Sequence, residues 1–175
     1  MNNLRFNVLA GMVLTVAVTR LLPHPPNFTP VAAIALFGGA SFSNVRAAFF
    51  VPPLGLLLSD LVLGFSAITP VIYACFALIT CIGLWLRQRQ NVYNVTAAAV
   101  VSALMFFVLS DLGTWALTDL YPHTSAGLLQ CYTVALPYLR NMLTSTLIYT
   151  ALLFGGLYLA ERRFTSLRER GLATA

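Results

Sequence analysis

The chain has 175 residues, 59% of them hydrophobic and 9% charged, with a mean hydropathy of +0.83. Soluble domains carry roughly 25% charged residues, so this composition excludes a solvated globular surface and points to one compact membrane bundle with no room for a second domain. The net charge of +5 comes from ten arginines, no lysine and five acids; most of the arginines sit in short segments between apolar runs, and no basic stripe with interleaved aromatics exists, which excludes a nucleic-acid surface.

Six apolar segments follow in chain order. The first runs from about Leu4 to Leu22. Its Arg5 and apolar run have the look of a secretory leader, but no small-x-small cleavage site precedes Arg20 and further spans follow, so it is expected to be a retained helix. The loop from Pro23 to Thr29 lies in the run Leu-Leu-Pro-His-Pro-Pro-Asn-Phe-Thr-Pro, stiffened by its prolines and shaped like a binding rim around His24. The second segment, Pro30 to Phe42, falls short of the about 20 residues that cross a bilayer. It is expected to stand in a thinned region or to be partly re-entrant, and its Phe37-Gly38-Gly39-Ala40 end allows close packing.

The third segment, Ala47 to Phe65, contains Pro52-Pro53, which should kink it and free backbone carbonyls. The fourth runs from Pro70 to Leu86, after a short outer loop from Ser66 to Thr69, and the fifth from Val92 to Leu117. A longer outer loop from Thr118 to about Thr133, holding His123 and Cys131, then leads to the sixth segment, Val134 to Ala160.

With six spans drawn, Arg5, Arg46, Arg87, Arg89, Arg162, Arg163, Arg168 and Arg170 all fall on one side. That side is expected to be cytoplasmic, with both termini inside. The basic C-terminus suits either a partner protein or anionic lipid heads.

The remaining charges are the informative ones. Arg20, Asp60, Asp111 and Arg140 interrupt apolar runs toward the outer ends of their segments. A charge within a span costs several kcal/mol unless it faces a partner or a wet cavity, so four in one leaflet suggest a pocket open to the outside. Leu58-Ser59-Asp60-Leu61 recurs as Leu109-Ser110-Asp111-Leu112, which puts two Ser-Asp pairs at comparable depth. Two readings stay open: the acids pair with Arg20 and Arg140 and staple the bundle, or they accept hydrogen bonds from a polar ligand.

Cys75 lies at the depth of the acids, either as a small buried hydrophobe or as a soft thiolate ligand for a transition metal. Cys81 is six residues further along, about 9 Å deeper and rotated off that face, so it is read as packing. His123 reads as a solvated loop residue. The three cysteines form no CxxC, and no HExxH or EF-hand spacing is present, so a protein-only metal site is not expected. Nor is there a GxSxG or Walker loop: the chain does not read as an enzyme, and any ATP-driven step requires a partner.

The run RLLPHPPNFTPVAAIALFGGASF at Arg20 to Phe42, with SDLVLGF at Ser59 to Phe65 and VIYACFALI at Val71 to Ile79, resembles a group of small bacterial six-helix proteins. That group is similar to the substrate-binding S-components of energy-coupling-factor (ECF) vitamin transporters. Within it, the BtuM-like vitamin B12 transporters are marked by a cysteine near the outer end of a central helix, and Cys75 stands at the matching place.

The resemblance implies an all-α bundle of six transmembrane helices in a bacterial inner membrane. It would capture cobalamin from outside and move it inward, with no intrinsic cofactor and either an ECF energising module or no partner. Cys75 is then the candidate axial ligand of the corrin cobalt, with thiolate-assisted decyanation of cyanocobalamin as a side activity. From the residues themselves rather than the resemblance, the expected ligand-binding set is His24, Asn27, Phe28, Asp60, Tyr73, Asp111 and Arg140, with Arg140 or Arg20 meeting cobalamin's phosphate. The alternatives are a transporter of another small vitamin or precursor, with Cys75 inert, and a non-transporting membrane scaffold.

Overall fold

The computed structural model describes residues 3–167; Arg168 and Arg170, assigned above to the inner side, lie outside them. Six α-helices follow in order: α1 (Asn3–Val18, extended by a 3-10 turn Thr19–Leu21), α2 (Val31–Ser41), α3 (Val45–Leu63), α4 (Thr69–Leu86), α5 (Val92–Leu117) and α6 (Ser125–Arg163). No strand occurs among the described residues. Five helices are long and apolar enough to cross a membrane, and α2 is the short one.

α2 is the centre of the bundle. Every residue from Val31 to Ser41 is buried, as expected of a helix that is apolar on all sides. Its 11 residues rise about 16 Å, half the roughly 30 Å hydrocarbon thickness, so it fits only because the longer helices enclose it. Its most extensive pairing is with α4, and glycines make that possible. A Cβ on Gly39 would strike the Thr80 carbonyl, and one on Gly83 the Leu36 carbonyl. The two backbones touch where neither carries a side chain.

α3 runs unbroken through Pro52 and Pro53. The prolines are absorbed within a continuous helix, and the Pro52 ring rests where a Cβ on Gly38 would otherwise project.

Contacts sort the molecule into two ends. At one, Arg5 bonds Glu161 Oε1 at 2.5 Å and the Leu167 carbonyl, and Phe6 packs edge-on against Phe42. Here the Arg87 guanidinium donates to the Gly39, Phe42 and Ser43 carbonyls at 3.2, 2.5 and 3.1 Å, while Gln90 donates to Ala40 at 2.9 Å. A cation over the carbonyl end of α2 satisfies groups the helix cannot and complements its dipole. At the opposite end lie Arg20, Asp60 and the Pro23–Pro30 loop, and α2 descends from that loop to the arginine-rich end.

The sixth element corrects the sequence reading. α6 starts at Ser125, not near Val134, with the Thr124 hydroxyl capping it by accepting from Gly127 N–H at 3.1 Å. The expected long loop is therefore mostly helix, and Cys131, placed in that loop by the sequence, is a buried helical residue at 2% exposure. Pro137 lies inside the helix without ending it. At 39 residues, α6 is about 58 Å long, beyond what the hydrocarbon core of a bilayer spans.

Candidate functional site

Arg20 sits in the 3-10 turn that closes α1 and reaches across to α3. Its Nη1 donates to Ser59 Oγ at 2.6 Å, Asp60 Oδ1 at 2.8 Å and, more weakly, the Leu56 carbonyl at 3.5 Å. Tyr73 on α4 donates its hydroxyl to the other Asp60 oxygen, Oδ2, at 3.1 Å. Both Asp60 oxygens are thus occupied by protein donors. These contacts tie α1, α3 and α4 together.

Asp111 differs. Its Oδ2 is shielded and has no hydrogen-bond partner, and no salt bridge among the described residues involves it. Arg140, the partner one reading gave it, is exposed and forms no ion pair among the described residues. Asp111 instead lines a cavity of about 190 Å³ shared with Arg20, Asn27, Thr29, Ser110 and Thr114. Apolar walls come from Val31, Ile68, Ile72, Phe106 and Met142.

Local structure explains how these groups meet. Ser110, Asp111 and Thr114 fall within one turn of α5, so positions three and four apart share a face. The Thr114 hydroxyl donates to the Ser110 carbonyl at 2.9 Å and the Ser110 hydroxyl to Phe107 at 3.3 Å. Asn27 enters from the proline-rich loop at φ 59°, a left-handed conformation that asparagine tolerates better than most residues. The loop is fixed by the Asn141 amide donating to the Pro26 carbonyl at 3.1 Å and by Phe28 edge-on to Tyr149 at 6.1 Å.

Of the residues expected to bind ligand, the structure brings Asn27 and Asp111 into the cavity lining, with Arg20. His24 is exposed, its Nδ1 3.1 Å from the Pro25 carbonyl. Phe28 is half-buried against α6. Cys75 is buried at 1% exposure and is not among the lining residues. Among the described residues, no group of three or more His, Cys, Asp or Glu is placed to hold a metal ion.

A family model described as "Family of unknown function (DUF6580)" matches residues 1–167. The chain belongs to this family. No curated protein and no solved structure matches it.

Sequence reasoning overlooked Thr29, Thr114 and the apolar walls as parts of a site. The available signal was Ser110–Asp111–Thr114, three polar side chains within one turn of an otherwise apolar helix. Phe106, Ile72 and Met142 carried none, because apolar residues lining a cavity and packing a core look alike in sequence.

Proposed function

We propose that this DUF6580 chain is a multi-pass bacterial inner-membrane protein that captures a small polar solute at its arginine-poor, outward end and passes it inward. The supporting observation is Asp111, which lines a cavity together with Arg20 and whose carboxylate has no ion pair among the described residues. A buried polar atom left unpaired costs about 1–3 kcal/mol. Intramembrane ionisable residues facing a cavity mark solute pathways, which favours transport over a scaffold and gives no reason to assign an enzyme.

Within transport, the geometry favours a small solute over a corrinoid. Drug-sized ligands occupy pockets of about 300–1,000 Å³, above the about 190 Å³ here. Cys75, the candidate cobalt ligand, is buried and outside this lining.

The test is uptake by cells producing the chain, supplied with a defined mixture of isotope-labelled water-soluble metabolites. At least one solute should be depleted from the medium by the wild type and not by Asp111→Asn. If both behave like cells lacking the chain, the transport reading fails and the scaffold reading stands. A corrin absorbance band that co-purifies with the wild type and is altered by Cys75→Ser would restore cobalamin as the solute.

A further inference from the structure

The cavity is divided by hydrogen-bonding sense. On the α5 side every polar group is an acceptor. The Asp111 carboxylate lines the cavity and has no ion pair among the described residues, and the hydroxyls of Ser110 and Thr114 already spend their single protons on backbone carbonyls, leaving only lone pairs. Arg20 supplies the opposite sense. A guanidinium has five N–H donors and no acceptor, and all of Arg20's side-chain hydrogen bonds leave from Nη1. Its Nε and Nη2 hydrogens have no partner among the described residues, and Arg20 lines the cavity.

Size and wall chemistry narrow the class. The volume of about 190 Å³ is slightly larger than an apolar cavity of about 150 Å³ that admits benzene. Ile72, Phe106 and Met142 offer apolar surface for the faces of a flat ring, leaving its edges to the polar groups. We propose that the site takes a single-ring nitrogen heterocycle bearing a carbonyl, with its N–H edge on Asp111 and its carbonyl on Arg20. This rests on the solute-capture reading above and names the solute's chemical class.

The experiment uses the purified full chain in lipid nanodiscs and calorimetric titration with cytosine, uracil and nicotinamide. Toluene serves as a ring without polar edges, and cyanocobalamin as the large alternative. At least one of the three heterocycles should bind, and Asp111→Asn should weaken it by about 10- to 100-fold, the loss expected of one hydrogen bond to a charged group. Ser110→Ala and Thr114→Val should each weaken it several-fold. Thermal melting of each variant separates lost binding from lost folding.

The inference is overturned if none of the heterocycles binds, if toluene binds as well as they do, or if Asp111→Asn binds them unchanged. Asp111-dependent binding of a different class, cyanocobalamin included, would overturn the heterocycle while leaving a solute site in place. Absence of any Asp111-dependent binding, together with absent uptake, would remove both.

Discussion

Asp60 and Asp111 occupy the same tetrapeptide in two helices, yet their surroundings give them opposite physical roles. Asp60 accepts from Arg20 and Tyr73, so Asp60→Asn should lower stability by about 1–3 kcal/mol, since the partly buried guanidinium loses its charged partner. Asp111 has no ion pair among the described residues, so Asp111→Asn replaces a costly unpaired carboxylate with a neutral amide. Its melting temperature should equal or exceed that of the wild type, the usual relation when a binding group is traded for stability. A melting series on the two variants checks both: a large loss for Asp111→Asn would make it a structural residue like Asp60. The echo was legible in sequence, and the Arg20–Asp60 pair was compatible with one of the two readings left open there. The difference between the two acids was not, because it depends on helix rotation. Arg140 is on the correct helix to reach Asp111 and faces elsewhere.

At the scale of elements, α2 sets the architecture. Gly39 and Gly83 carry its contact with α4, so Gly39→Ala or Gly83→Ala should cost about 1–3 kcal/mol by overpacking. A Cβ on either meets backbone, which has little room to yield. Gly11→Ala and Gly155→Ala meet open space and should be neutral or slightly stabilising, as Ala is the better helix former. Thermal unfolding in detergent separates the two pairs; equal effects would mean that the α2–α4 contact is looser than described. The Gly-Gly end of α2 was readable as a close-packing site. The extents of α3, α4 and α5 were also readable to within about two residues, because apolar length is a strong signal. The start of α6 was not. Gln130, Tyr132, Thr133 and Pro137 dilute the apolar run, and the helix forms there because Thr124 caps it and α5 supplies contacts. Cys131 donates to the Asp111 carbonyl at 3.4 Å and Tyr132 to Val108 at 2.7 Å. Such tertiary support leaves no local trace.

Over the whole molecule, large apolar side chains cover the outside: Phe50 is 74% exposed and Val62 71%. That surface suits lipid and would aggregate in water. Arg89 over the Trp85 ring at 4.8 Å and Arg162 over Tyr158 at 5.7 Å place cation–aromatic pairs at the arginine-rich end, as interfacial anchors do. Reporter fusions should follow this polarity. A phosphatase active only outside the cytoplasm should work when fused after Gly64 or Pro122 and be silent after Gln88. The opposite pattern would turn the cavity inward and end the capture reading.

The central claim is that the Asp111 cavity is a ligand site rather than a packing defect. Its most direct test is mass spectrometry of small molecules released on denaturing the purified chain, wild type beside Asp111→Asn. The account predicts a compound released in near-stoichiometric amount from the wild type and missing from an equally well-folded variant. Identical profiles from both proteins, with the variant melting at a lower temperature, would contradict it.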